Sequence, residues 1–150
     1  MKLRDLFVAA SAAGLALAIP QAATAQSEWP IESGNWVEVT GIHIDDGHAL
    51  DYANHIAGMW RKGQDFAKAQ GWIADYQVLV NSFAREGEPD VYLMTWFPSF
   101  ATKAEEASRD AAYRKHMAMT EAQMQSASGK RAEYRKVGSS MLLRQQTWTK

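Results

Sequence analysis

Four histidines and a few carboxylates and tyrosines inside apolar runs are the side chains of this sequence that could do chemistry. His48 and His55 are seven residues apart. On a helix they share a face but lie about 10.5 Å apart along its axis. That is too far for one zinc ion, whose nitrogen ligands sit at roughly 2.0–2.1 Å, so no metal site is read. With Tyr52 and Met59 they make a stripe expected to face away from the core, toward solvent, a second subunit or a protein partner. His43 closes a β-branched run, on the same side as Val37 and Val39. There an imidazole could act as a general base in a pocket between sheet and helices. Tyr76 and Tyr92 could aim a phenol into that pocket, and Trp36, Trp72 and Trp96 could form its walls. The catalytic candidates are His43 and Tyr76, and the ligand-binding candidates are Trp36, Tyr92, Trp96 and His116. Glu38 and Asp75 lie inside expected strands. A carboxylate so placed must be paired or shift its pKa, and Arg144 on the last strand is a candidate partner.

Several reaction classes lack their residues. No glycine-rich phosphate loop, G-x-S-x-G elbow or H-E-x-x-H pair occurs. Cysteine is absent, which excludes thiol nucleophiles, cysteine-ligated metals and disulfide stapling. The formal charge is −1. Phosphate neutralisation needs a surplus of Lys and Arg, so nucleic acid is not an expected partner.

The N-terminal stretch reads as an address. Lys2 and Arg4 precede an apolar run from Phe7 to Ile19, too short to span a bilayer. Ala23-Thr24-Ala25 then has the small-x-small pattern of a signal-peptidase site. The expectation is a cleaved signal peptide over 1–25, a flexible leader over 26–35 and one domain over 36–150. The mature protein would be periplasmic or secreted, with no membrane insertion after cleavage.

The elements that must position the candidate residues follow from hydropathy and punctuation. Trp36 to Ile44 reads as a strand. A helix is expected from Gly47 to Gln70, with a core face of Leu50, Ala53, Ala57 and Trp60 and with Ile56 beside it. Gly63 would loosen it near the middle. Strands at 72–82 and 90–97 flank the polar turn Arg85-Glu86-Gly87-Glu88-Pro89. Thr102-x-x-Glu105 is a capping box for a second long helix to about Ser128. Its expected inward stripe is Ala104, Ala107, Ala111, Ala118 and Ala122, its charged residues face solvent, and Gly129 breaks it. The last strand is Val137 to Thr147. The order is βαββαβ, an α+β, ferredoxin-like fold with an antiparallel sheet and both helices on one face. Val78-Leu79-Val80, Val91-Tyr92-Leu93-Met94 and Met141-Leu142-Leu143 are apolar at consecutive positions. Such strands want both faces covered, which implies a homodimer packed through the sheets as a dimeric α/β barrel.

This order, with Thr95-Trp96-Phe97 closing a strand and Tyr113-x-x-His116 on the helix after it, resembles the dimeric α/β-barrel superfamily. That group includes antibiotic-biosynthesis monooxygenases, haem-degrading monooxygenases, stress-responsive barrels and polyketide cyclases. The resemblance covers about residues 36–147. The leading expectation is an exported dimer that binds a small, largely apolar or aromatic molecule. A second is a cofactor-independent monooxygenase or cyclase for an aromatic or polyketide-like compound, with His43 as base and Tyr76 and Trp96 positioning the substrate. The resemblance to the haem-degrading branch implies haem on His116. A fourth expectation is a partner-binding module that uses the His48/Tyr52/His55/Met59 stripe. N-terminal sequencing of the exported protein is expected to begin at Gln26; a mature chain that still carries Met1 would overturn the address.

Overall fold

The computed structural model describes residues 29–149. The expected signal peptide and its cleavage site lie outside the described residues. Strand β1 spans Ile31–Ile44, β2 Asp75–Val80, β3 Val91–Phe97 and β4 Arg135–Trp148. Between β1 and β2 lie α1 (Ala49–His55), a π-helical turn (Ile56–Trp60) and α2 (Arg61–Ala69). Between β3 and β4 lie α3 (Lys103–Met117) and α4 (Glu121–Arg131). The strands form one antiparallel sheet in the order β2-β3-β1-β4. This α+β architecture is compatible with a ferredoxin-like fold.

The boundaries differ from the sequence expectation in three instructive places. Strand β1 begins five residues before Trp36, because Ile31, Glu32 and Ser33 pair with Trp148, Thr147 and Gln146. The expected leader is therefore partly ladder, and this end of the ribbon pairs with β4 but not β3. The first helical segment contains a π turn at Ile56–Trp60, ahead of Gly63. Such a wide turn changes the phase of the residues after it. Gly63 serves another purpose: a Cβ there would collide with the Tyr113 hydroxyl, so glycine lets α2 and α3 approach. The expected second long helix is two helices. Ala118 adopts the left-handed conformation (φ 54°) and ends α3. Thr120 then starts α4, its hydroxyl accepting from the Gln123 N–H while Gln123 Oε1 accepts from the Thr120 N–H. Gly129 lies inside α4. The Thr102–Glu105 capping box forms as its spacing predicts, with Glu105 Oε2 accepting from the Thr102 N–H at 2.8 Å.

Paired residues on neighbouring antiparallel strands share a sheet face. One face carries Glu38, Thr40 and Ile42 of β1 with their β3 partners Thr95, Leu93 and Val91 and their β2 partners Tyr76, Val78 and Val80. The helices pack here. Tyr52 is 2 % exposed and forms the core cluster with Ile42 and Val91, against which Ile56, Val78 and Leu93 pack. The helical faces therefore differ from the expected ones. Leu50 is 71 % exposed and Tyr52 is buried, so the His48/Tyr52/His55/Met59 set is not an outer stripe. Along this helix Tyr52 and Ile56, one turn apart, compete with the smaller Leu50/Ala53/Ala57 stripe. The larger rings and side chains remove more apolar area from water. On α3 the inward face is Arg109, Tyr113 and Met117, and Ala104, Ala107 and Ala111 face out. An alanine stripe offers little area to bury, so the bulky residues take the contact.

The opposite sheet face carries Val37 and Val39 at its centre, flanked by Met94 and Trp96 of β3 and by Met141 and Leu143 of β4. Leu79, Met141 and Leu143 are 44 %, 45 % and 48 % exposed.

Candidate functional site

The register separates the residues that the sequence suggested as one site. His43, Tyr92 and Trp96 stand on the sheet face away from the helices. His43 does share that face with Val37 and Val39, but it is not the face that bounds a pocket with the helices. Its imidazole lies against Gly138, where an added Cβ would come within 2.9 Å of Nε2. Trp36 is on the helix-bearing face, 5.8 Å from the Phe100 ring, with the Arg144 guanidinium 4.4 Å over it. Arg144 is thus engaged with an aromatic face. Tyr76 is also on the helix side, donating to Asp65 and meeting Trp60 edge-on. Asp75 is the first residue of β2 and is exposed, paired with Lys68 at 2.7 Å. His116 stacks on Phe66 with centroids 4.2 Å apart and lines an outer groove with Arg61, Lys62 and Asp65. The structure does not bring these six candidates together.

Between the sheet and the helices the layers leave space. One cavity, of about 270 Å³, has Glu38, Thr40, Leu93 and Thr95 as its floor, and Tyr52, His55, Trp60 and Gln64 as its roof. Arg131 at the end of α4 and Arg135 at the start of β4 close its side. A second cavity, of about 390 Å³, shares Glu38, Gln64 and Thr95 with the first and continues along Trp72, Phe97, Phe100 and Tyr113. The shared residues place the two cavities side by side. Polar side chains at the sheet centre are the reason this space is open. Glu38 and Thr95 are directly paired on adjacent central strands, and dehydrating a carboxylate without a partner would cost several kcal/mol. Glu38 is accordingly exposed, although it sits inside a central strand.

A larger apolar groove of about 540 Å³ runs between α1 and the β2 edge, lined by Tyr52, Ala53, Ile56, Val78, Val80 and Val91 among others. Its Asp90 carboxylate already accepts the Ile44 N–H at 2.8 Å, and Val80 at its rim is 71 % exposed. The Glu38 cavities differ in holding uncommitted polar groups. Nε of Arg131 and Nε of Arg135 are buried and lack a hydrogen-bond partner. Among the described residues no ion pair engages either guanidinium.

These groups set the electrostatics. Burial, reinforced by the charges of Arg131 and Arg135, lowers the His55 pKa to about 4. Its imidazole is therefore neutral at neutral pH, able to accept or donate one hydrogen bond. Burial raises the Tyr52 and Tyr113 phenols above their ordinary value, so both remain hydroxyl donors. Burial and the neighbouring Arg135 lower Arg131. The arrangement can hold a small molecule with aromatic walls on one side and a cationic, hydrogen-bonding end on the other. Among the described residues no group of three or more His, Asp or Glu could hold a metal ion.

The sequence reading missed Arg131, Arg135 and Gln64 and turned Tyr52 and His55 outward. The usable signals were Arg131 and Arg135 four residues apart just beyond the expected end of a helix, and Tyr52 and His55 one helical turn apart.

No family model matches the chain. No curated protein matches it.

The lowered His55 pKa makes stability depend on acid. The unfolded chain takes up the proton near the ordinary value of 6.5 and the folded one only near 4. This contribution is fully present above about pH 6.5 and is lost as the pH falls toward 4. The fall in thermal midpoint between pH 7 and pH 4.5 is expected to be smaller in His55→Gln than in the wild type. Equal falls would place His55 in ordinary solvent.

Proposed function

We propose that this protein is an exported homodimer that binds a small, largely apolar or aromatic molecule in the space between its sheet and helices. The observation that carries the reading is the open floor around Glu38. A carboxylate inside a central strand keeps access to solvent, and aromatic residues line the larger of the two cavities that share it. A fold with no use for that space could fill it with aliphatic side chains and gain stability from the extra buried area. Export rests on the Ala23-Thr24-Ala25 site after the apolar run. Among the described residues no helix is long and apolar enough to cross a membrane.

The homodimer, with the sheets packed face to face as in a dimeric α/β barrel, is supported by the uncovered sheet face. Leu79, Met94, Trp96, Met141 and Leu143 stand on that face around Val37 and Val39. A stable interface buries about 800 Å² per partner, and contiguous exposed apolar surface is the kind that marks such contacts. The core of the single chain is also small. The buried apolar side chains among the described residues are Val37, Val39, Ile42, Tyr52, Ile73, Val91 and Met117, of which Tyr52 and Ile42 are fully buried. A second copy would bury the face that the helices leave open.

Two measurements test these readings. The neutral fluorophore N-phenyl-1-naphthylamine is expected to brighten on binding the wild type. Thr95→Phe, which fills the floor shared by both cavities, is expected to weaken that binding at least tenfold while the far-ultraviolet dichroism is unchanged. Undiminished binding would locate the probe elsewhere, for instance in the groove beside α1. Light scattering at micromolar concentration is expected to report a dimer. Leu143→Glu, on the uncovered face, should yield monomer, whereas Leu142→Glu, on the other face of the same strand, should leave a dimer. A wild-type monomer would overturn the assembly.

A further inference from the structure

We propose that Arg131 and Arg135 bind the carboxylate of the cavity's ligand, so that the ligand is a small carboxylic acid with an apolar or aromatic body. This rests on the reading of the Glu38 cavities as a ligand site and names the class of molecule they select.

The two arginines are held in place by backbone. Arg131 ends α4 and Arg135 begins β4. The turn between them is closed by the Ala132 N–H on Ser128 O and the Tyr134 N–H on Arg131 O. Tyr134 O in turn accepts the Asp45 N–H at 2.9 Å, tying the turn to the end of β1. Both side chains line the 270 Å³ cavity beside Tyr52 and His55. Their Nε groups are buried and unpartnered. The two terminal nitrogens of a guanidinium form an edge that receives the two oxygens of a carboxylate. Two guanidinium groups line this one small cavity, and among the described residues no protein carboxylate pairs with either, which leaves them to receive an anion.

The local charge selects the kind of anion. Arg131 and Arg135 contribute two positive charges, Glu38 across the same cavity contributes one negative charge, and His55 is neutral. The surplus is a single positive charge, which suits a monoanionic carboxylate better than a phosphate dianion. Away from the arginines the adjoining cavity, which shares Thr95 and Gln64, is walled by Trp72, Phe97 and Phe100. A ligand seated across both cavities has its acid at the α4–β4 turn and its apolar body among these rings. Glu38 lies between the two and disfavours a second acidic group on the body.

The test compares 2-naphthoate with 2-naphthamide, which share a ring system and differ in charge. Isothermal calorimetry on the full mature protein at pH 7.5 and low ionic strength is expected to show 2-naphthoate at least tenfold tighter. Arg131→Gln and Arg135→Gln are each expected to reduce this preference at least fivefold. Equal affinity of the two probes for the wild type overturns the arginine assignment and leaves the cavity reading standing. Binding of neither probe overturns both. Because the wild-type comparison needs no variant, a failure of Arg→Gln chains to fold does not remove the test. Inorganic phosphate that displaces 2-naphthoate more effectively than benzoate does would overturn the monoanion.

Discussion

Everything in this fold hangs on the contact of Tyr52 with Ile42 and Val91. It is the cluster of buried residues that joins the helical layer to the sheet. Each such side chain contributes about 1.5–3 kcal/mol when taken out of water, and the cluster sits toward one end of the sheet, where Ile56, Val78 and Leu93 extend it. Toward the middle, the sheet offers Glu38, Thr40 and Thr95 instead of aliphatic side chains, and the helices cannot close on them without burying polar groups. The helical layer is thus pinned at one end and held off the sheet at its centre, and the cavities are the consequence.

The other contacts of the helices fit this arrangement. Gly63 permits Tyr113 of α3 to lie against α2, and Phe66 is flanked by Trp72, Tyr113 and His116. The Tyr113 and His116 contacts join α3 to α2, and Trp72 packs back on α2 from the connection ahead of β2. Arg109 covers Trp72 at 5.6 Å, supplying cation–π attraction and keeping its charge near solvent. Trp72 and Tyr113 therefore do double service, packing on Phe66 of α2 and walling the 390 Å³ cavity.

The two sheet faces have opposite solutions to one problem. A four-stranded sheet with apolar residues at consecutive positions has two surfaces to cover, and one chain supplies helices for one of them. The helix-bearing face is polar at its centre and open there. The far face is apolar at its centre, where Val37 and Val39 are each 6 % exposed because the larger Met94, Trp96, Met141 and Leu143 surround them.

The sequence by itself determined the order of elements and several of their ends. β-branched runs placed the strands, Thr102 and Glu105 placed the start of α3, and the polar turn before Asp90 placed the β2–β3 hairpin. These are local properties, set by a residue's own backbone preferences and by neighbours three or four positions away. The uncut second helix was a local misreading too, because Thr120 and Gln123 repeat the capping signal of Thr102 and Glu105. Which face of each element turned inward was decided only by the tertiary structure. Tyr52 and Leu50 are both apolar enough to lead a stripe, and the choice depended on what Ile42 and Val91 present across the gap. Strand register sent His43, Tyr92 and Trp96 to one side and Trp36, Glu38 and Tyr76 to the other. A period of two makes each residue's neighbour belong to the opposite face, so the sequence shows who alternates with whom but not which set meets the helices. The pairing of Arg131 and Arg135 with His55, across about eighty residues of chain, has no local signature, because it exists only where α1 and the α4–β4 turn meet over the same part of the sheet.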